Sequence, residues 1–582
     1  MYVLGLSCFY HDAAACLLKD GVPVGAASEQ VFTRRKHDPD FPVHSIRWLL
    51  GEAGITVKDL GAVAFYDKPL VKFERMLLSH IATFPKSFPQ FVRGMPSWFA
   101  TKLRVDKALK NELDYTGPIL YGSHHMSHAA SAYFPSGFEE AAVLTVDGVG
   151  EWSTASWGHG VGNKLELKGE IRFPHSLGLL YSAFTLYLGF KVNSGEYKVM
   201  GLAPYGEPHY VDNIKRLIHI REDGSFRLDM RYFSFDHGMR MYNKRFEEVM
   251  GQPARPLDEG AVTQFHKDVA RSIQEVVNEV MVNLARKVVE DTGCTRLCLA
   301  GGVALNCVAN GHILRESPVT ELFVQPAAGD AGGAMGAALW AWHNLLGNKD
   351  RWTLETSYLG PGYDDTQIAA ALDRYGAVYR RLDRTQLTGQ VADLIDQAHV
   401  VGWYQGRLEW GPRALGHRSI LGDPRNPEMR DIINLKIKMR EGFRPFAPSV
   451  LEDRASHYFE LDGPSPFMLL VSPVREEIRN GPEALPAITH VDGSARVQTI
   501  NRDQDALYYE LISAFQDRTG CGVIVNTSMN VRGEPIVNTP EDAYRCFMRT
   551  EMDALACGPF LMMKDEQPKL ELSSAAEEFG LD

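Results

Sequence analysis

No Cys-x-x-Cys pair occurs among the eight cysteines, which are scattered from Cys8 to Cys557, several inside apolar, strand-like runs. That excludes a disulfide framework or a zinc ribbon as the basis of the fold and points to buried free thiols in a reducing compartment. A long basic run is missing too. The 61 Lys and Arg face 73 Asp and Glu, a net charge of −12, so no nucleic-acid partner is expected. The longest uncharged stretch, Phe173 to Phe190, opens on Pro174 and His175 and carries Ser, Thr and Gly throughout. It reads as a buried loop and helix, and no membrane partner is expected. The start, MYVLGLSCFYHDAAACLLKDG, lacks a basic n-region and does not read as a signal peptide, so a cytoplasmic protein is expected.

The composition that remains is ordinary for a globular protein, with 45% hydrophobic and 23% charged residues. Its 582 residues suggest about four compact units at about 150 residues each. The chain repeats one device, an apolar strand ending in a small polar turn. YVLGLS leads into Cys8-Phe9-Tyr10-His11-Asp12, then AAACLL and Lys19-Asp20-Gly21. AAVLTVDGVG repeats it at Ala141 to Gly150, which suggests a duplicated α/β domain with each turn aimed into a cleft between the halves. Arg296 to Leu314 reads as strand, Gly301-Gly302 turn and helix, and FVQPAAGDAGGAMGAALWAW ends a strand before Asp330 and opens a small-residue helix. Phe265 to Glu290 has apolar residues at helical spacing with charges opposite, an amphipathic helix. A Gly-, Pro- and charge-rich break at Leu345 to Asp365 ends the first part. The expected domains are therefore 1–355, a connector 356–394, a second domain 395–565 and a frayed or loosely docked tail 566–582.

Chemistry concentrates in SHHMSHAASAYF. His124 and His128 are four apart, so on a helix they share a face and can chelate one cation, with His125 the weaker partner. Hydrogen-bonded surface histidines are the alternative. Asp147 and Asp330, both at strand ends, would complete a set of two imidazoles and two carboxylates suited to Fe²⁺, Zn²⁺ or Mn²⁺ rather than Ca²⁺. Gly301 and Gly302 with Asn306 form a turn able to approach a phosphate or nucleoside. In SGEYKVMGLAPYG, Glu196 and Lys198 are expected to project inward from a buried loop, the alternative being an ordinary surface turn. Later, Arg407, Arg413, Arg418, Arg425, Lys438, Arg440 and Arg444 alternate with Trp, Phe, Gly and Pro. Such mixing suggests a rigid wall for a polyanionic small molecule, to which Ser528 and Asn530 of NTSMN add polar contacts.

Taken in order, HHMSHAASA, VDGVGEW, GEYKVMGLAPYG, GGVALN, GDAGGAMGAAL, GRLEWGPRALGHRSIL, REGFRPFAP and NTSMNVRGEPIV resemble the nodulation and antibiotic O-carbamoyltransferases over about residues 1 to 565. The resemblance implies an N-terminal domain of the actin-like ATPase fold, similar to the universal tRNA threonylcarbamoyl transferase. It implies a C-terminal α/β domain like the threonylcarbamoyl-adenylate synthases. Carbamoyl phosphate and ATP (with Mg²⁺) would give carbamoyl-adenylate in the second domain, and a small-molecule hydroxyl would take the carbamoyl group at an iron site in the first.

On that resemblance His124, His128, Asp147 and Asp330 match metal ligands and Gly301, Gly302 and Asn306 the nucleotide turn. Lys438, Arg440, Ser528 and Asn530 match the synthase motifs, and Arg407, Arg413, Arg418 and Arg444 fit as further phosphate ligands. His11 and Lys36 match positions lining the transfer site, with a neutral His11 as general base. Met529 departs from the pattern, which more often has an aromatic there. A tRNA threonylcarbamoyl transferase-like enzyme and an actin-like kinase are the competing readings. Residues 66 to 115 are expected to wall the acceptor site, and the family points weakly to a homodimer.

Overall fold

In the computed structural model, which describes residues 1–257 and 260–580, the chain forms two compact units. Met1–Glu29 and His37–Leu354 make the first; Gln30–Lys36 and the chain from Glu355 onward make the second.

The first unit repeats one topology twice. Strands β1 (Tyr2–Ser7), β2 (Ala14–Lys19), β3 (Val22–Ser28), β4 (Leu60–Phe65) and β5 (Ile119–Tyr121) form a sheet in the order β3-β2-β1-β4-β5. Strands β6 (Glu140–Val146), β7 (Ser153–Val161) and β8 (Lys164–Arg172) make the matching antiparallel meander. Past a small hairpin of β9 (Ile218–Ile220) and β10 (Phe226–Leu228), β11 (Arg296–Ala300) and β12 (Glu321–Val324) complete the order β8-β7-β6-β11-β12. This duplicated mixed sheet is the actin-like ATPase fold. β1, β4 and β5 run parallel, as do β6, β11 and β12. Their carboxyl ends therefore point one way within each sheet, the edge where α/β sheets bind ligands. One set delivers the His11 turn, Tyr66-Asp67 and the helix His124–Tyr133. The other delivers Asp147, Gly301-Gly302 and Asp330.

Small residues set how closely these elements approach. A Cβ at Gly336, on the helix Gly332–Trp340, would overlap the carbonyl oxygen of Ser127 on the histidine helix, and one at Gly5 of β1 would overlap that of Ala334. The amphipathic pattern around Phe265 becomes the helix Gln264–Thr292, opened by a Thr263 capping box and stopped by Gly293 at φ 71°. The apolar stretch after Pro174 becomes the helix Leu177–Tyr187, capped by Ser176. Among the described residues no helix is long and apolar enough to cross a membrane.

The second unit is built on nine strands. β13 (Arg380–Arg381), β14 (Val401–Tyr404), β15 (Arg418–Gly422), β16 (Ala447–Leu451), β17 (Leu470–Pro473), β18 (Ser494–Ile500), β19 (Val523–Ser528), β20 (Ala554–Cys557) and β21 (Phe560–Met563) lie in the order β13-β21-β20-β14-β15-β19-β16-β18-β17. The stretch expected as a connector, 356–394, is part of this unit: β13 pairs with β21, and the helix Arg384–Asp396 buries Leu387, Val391 and Ile395. The expected loose tail ends in a docked helix, Ala575–Phe579, whose Glu578 takes ion pairs from Arg545 and Arg549; its last two residues lie outside the described ones.

Gly336→Val should push the histidine helix off its neighbour. The expected cost is about 1–3 kcal/mol of overpacking, read as a lower thermal midpoint, with loss of bound divalent cation measured on the same sample.

Candidate functional site

Four ligand-type side chains converge in the first unit. The Nε2 atoms of His124 and His128 lie 3.1 Å apart. Asp147 Oδ2 is 3.0 Å from the first and 3.8 Å from the second, and Asp330 Oδ1 is 3.6 Å from both. All four residues are buried, and their ligand atoms lie within 4.8 Å of one another. Donors at about 2.0–2.2 Å from a shared cation sit about 3.0–3.5 Å apart in octahedral or tetrahedral arrangements, so the set fits a divalent cation almost as it stands. The Nδ1 atoms of both rings are buried without a hydrogen-bond partner, which leaves the Nε2 side as the working face. His125 turns away, its Nδ1 2.7 Å from Thr145 Oγ1, and burial pushes its pKa down to about 3.

The surroundings explain the placement. Glu151 receives the backbone N–H of His124 at 3.0 Å and that of Lys68 at 2.8 Å, so a carboxylate completes the start of the histidine helix. Gly150 leaves room for the rings of His124 and His125. Asp147 takes the N–H of Gly302 on its second oxygen at 2.9 Å, which ties the glycine turn to the centre. Gly301 has φ 93°, a conformation that suits glycine, and no room for a Cβ beside Val146. Asn306 caps the helix Cys307–Glu316 and exchanges two hydrogen bonds with Gln274, of 3.0 and 3.1 Å.

Electrostatics in the centre balance burial against acid–base pairing. Burial disfavours protonated His128, yet Asp147 and Asp330 lift its pKa to about 9, and the two imidazoles hold Asp147 well below the usual carboxylate range against the same burial. His11 is drawn in likewise: Nδ1 lies 2.9 Å from Asp12 and Nε2 3.7 Å from Asp330. Burial opposes its charge, but Asp330 and Asp12 outweigh it and raise the pKa to about 10. Both carboxylates thus favour the protonated ring over the expected neutral His11.

Glu196 and Lys198 lie on a helix, Glu196–Leu202, rather than on a loop; Glu196 accepts from Ser182 at 2.8 Å, and Lys198 is buried over the Phe190 ring. From the expected acceptor segment, Ser97, Lys102, Arg104, Lys107 and Asn111 join Phe9 and Tyr10 around a cavity of about 620 Å³.

A second constellation forms in the second unit. Lys438 is buried, and its Nζ donates to Asn530 Oδ1 at 2.7 Å, to the Asn530 carbonyl at 3.1 Å, to Ser528 Oγ at 3.3 Å and to the Ser528 carbonyl. Arg440 donates to Asn434 at 2.8 Å, and Arg444 pairs with Glu441 at 2.9 Å. Burial first, then the charges of Arg440 and Lys36, push the Lys438 pKa well below the ordinary lysine value. A buried, crowded ammonium of this kind is stabilised by an anion. Two expected phosphate ligands have other work. Arg418 is buried over the Tyr404 ring and donates to the carbonyls of Gln405, Gly406 and His417, while Arg407 donates to those of Gly360 and Leu359. Both arginines brace loops. Arg413 is half-buried in the same loop, whose amides at Leu415, His417 and Arg418 converge on Glu409.

Lys36, expected with His11 to line the transfer site, falls in the second unit, where its charge bears on Lys438. Arg34 anchors its segment. Nη2 reaches Glu534 at 2.8 Å and the Pro535 carbonyl at 3.0 Å, and Nη1 reaches the Ile536 carbonyl at 2.7 Å. Glu534 is buried and shapes the loop that carries Asn530: its other oxygen takes the Val531 N–H at 2.9 Å, and its carbonyl takes Asn530 Nδ2 at 2.7 Å. Arg34, Glu534, Glu151 and Glu409 were not foreseen from sequence. The only local signals were an acid following the VDGVG turn and an acid in the RGEP turn.

Two family descriptions cover most of the chain: "Carbamoyltransferase N-terminus" matches residues 2–339 and "Carbamoyltransferase C-terminus" residues 392–564. A Synechocystis sp. protein whose name assigns no role is 52% identical across all of both chains. Nodulation protein NolNO of Sinorhizobium fredii is 39% identical over 96% of this chain and 79% of its own length. The 3'-hydroxymethylcephem-O-carbamoyltransferase of Amycolatopsis lactamdurans is 36% identical over 47% of this chain and 50% of its own.

Arg34→Ala strands a buried carboxylate and should cost about 3–5 kcal/mol in denaturant titration. Adding Glu534→Gln should recover much of that loss, and the pair would be shown to be uncoupled if it does not.

Proposed function

We propose that this chain, which belongs to the carbamoyltransferase family, moves a carbamoyl group from carbamoyl phosphate to a hydroxyl of a small-molecule acceptor, driven by ATP through carbamoyl-adenylate. The observation that carries the reading is the coexistence of two different built sites in one chain: a buried two-His, two-Asp centre and a cationic Lys438–Ser528–Asn530 cluster.

Chemistry gives the two sites separate tasks. Carbamate is a weak electrophile, because nitrogen and oxygen both donate into its carbonyl and its leaving group is poor. In the second unit carbamoyl phosphate is hydrolysed to carbamate and phosphate. A carbamate oxygen then attacks the α-phosphorus of ATP and pyrophosphate departs with Mg²⁺. Lys438, Arg440, Arg444 and Arg413 offset the phosphate charge there, while Ser528 and Asn530 fix the ammonium of Lys438. Lys36 acts with this group.

In the first unit the acceptor hydroxyl attacks the carbamoyl carbon, loses its proton and expels AMP. His124, His128, Asp147 and Asp330 would hold a divalent cation, Fe²⁺ on this reading, which would supply Lewis acidity toward the carbamoyl oxygen. The chain's own groups do the remaining work. The Gly301-Gly302 turn accommodates the nucleotide against the start of a helix whose cap is held by Asn306 and Gln274. His11, oriented by Asp12, donates to oxygen at the edge of the centre. Glu196 accepts from Ser182 and Lys198 is buried over Phe190, both on the helix Glu196–Leu202. A kinase of the same fold would leave the Lys438 cluster without a task.

His128→Ala should abolish cation binding and cut carbamoyl transfer at least about a hundredfold while pyrophosphate exchange persists. Lys438→Ala should do the converse, failing in exchange but transferring from supplied carbamoyl-adenylate. If each variant loses both half-reactions equally, the division of labour is wrong.

Lys438 also gives a pH dependence. Its free ammonium is disfavoured, so above the depressed pKa the binding of ATP must take up a proton, and affinity falls as pH rises. Calorimetry in buffers of different ionisation enthalpy should read that uptake; binding without it removes Lys438 from the anion site.

A further inference from the structure

The helix Pro69–Ala82 is inside out. Its buried face carries charge: Lys72, 3% exposed, pairs with Asp67 at 2.8 Å and lies 4.0 Å from the Tyr10 ring centroid, and Arg75, 7% exposed, lies over Phe173. Its outer face carries hydrocarbon, with Leu70 73%, Leu78 45% and Ile81 62% exposed. The following turn and the helix Phe88–Ser97 continue that surface. Phe84 and Phe88 contact each other edge to face and are 68% and 56% exposed; Val92 and Phe99 are exposed as well. Seven large apolar side chains thus face water within about thirty residues. A soluble surface does not ordinarily keep such a patch uncovered.

The charge around it identifies what covers it. No Asp or Glu occurs from Arg75 to Val105, in a protein of net charge −12 with 73 acidic residues. Within and beside the patch stand Lys68, Lys86, Arg93, Arg104 and Lys107, all exposed. Exposed Glu74 on the first helix and Asp106, 3.9 Å from Arg104, also stand there, but basic side chains predominate, and apolar tips in a mainly basic surround match the boundary between acyl chains and anionic headgroups.

We propose that the Leu70–Phe99 helix pair docks this protein on an anionic lipid bilayer, with Phe84 and Phe88 entering the acyl boundary and Lys86 and Arg93 meeting the headgroups. This is attachment to one leaflet, not a span. It revises the sequence-based expectation of no membrane partner, which considered only spanning segments and basic runs. The inference does not rest on the carbamoyl-transfer reading: Phe84, Phe88, Lys86 and Arg93 line neither the four-ligand centre nor the Lys438 cluster, although Arg104 and Lys107 also border the cavity of the acceptor segment.

The test is cosedimentation of the full chain with vesicles of phosphatidylcholine alone and of phosphatidylcholine with phosphatidylglycerol. Binding is expected to the anionic vesicles only, and to weaken with added salt. Phe84→Asp with Phe88→Asp should lower affinity about tenfold or more, and Lys86→Glu with Arg93→Glu should remove the salt dependence. The second pair touches no packed side chain and guards against misfolding of the first. Binding to neither vesicle, or equal binding to both, overturns the proposal. So does sedimentation of the free wild type as a dimer that Phe84→Asp with Phe88→Asp turns into a monomer, because the surface would then serve a second copy.

Discussion

Four buried ligand-type side chains crowded into one centre impose the central constraint. Two imidazoles face each other through Nε2 at 3.1 Å, and two carboxylates close the remaining sides. Each of these groups would be better solvated in water, and low dielectric makes their burial together expensive unless charge compensates it. With a divalent cation the same geometry is a closed coordination set. The fold around it is arranged to prevent relief by movement: Glu151 holds the start of the histidine helix, Gly302 holds Asp147, and Gly336 lets the small-residue helix press on Ser127.

The second unit faces the opposite problem, a buried basic cluster in which positive charge on Lys438 is disfavoured. Lys438 is surrounded by acceptors from Ser528 and Asn530, but it also feels Arg440 and Lys36. Neutral acceptors orient an ammonium without cancelling its field, so the cluster stays poised for an anion. One centre lacks positive charge and the other lacks negative charge. The contrast is why two chemistries, cation-assisted transfer and phosphate activation, are reasonable in one polypeptide.

Much of this was legible in sequence, and the divide is physical. The His124/His128 pair could be read because helix geometry makes four residues a contact distance, and the strand-end acids because a parallel sheet aims its carboxyl ends one way. The duplicated topology followed from the repeated strand-turn device. Arg34 could not be read, because its partner Glu534 is 500 positions away and no local pattern marks the pair. Arginine type alone misled at Arg418 and Arg407: a fork of five donors suits backbone carbonyls in a buried loop as well as it suits phosphate. His11 was placed near the centre from family resemblance, but its charge state depended on two carboxylates whose approach only coordinates reveal.

The segment Gln30–Lys36 shows how a unit boundary can mislead about which residues act together. β3 ends at Ser28 within the first unit, yet Arg34 at φ 58° is held by Glu534, Pro535 and Ile536 of the second. A left-handed conformation at a non-glycine residue persists only where surrounding contacts over-determine it, and three hydrogen bonds from one guanidinium supply that determination. The loop so clamped carries Asn530, and Asn530 orients Lys438. Lys438 is therefore positioned by residues from both ends of the chain. A C-terminal fragment beginning at the apparent domain boundary would keep Lys438, Ser528 and Asn530 but lose the arginine that neutralises Glu534. On that ground the second unit's chemistry depends on the N-terminal thirty-odd residues as much as on its own sheet.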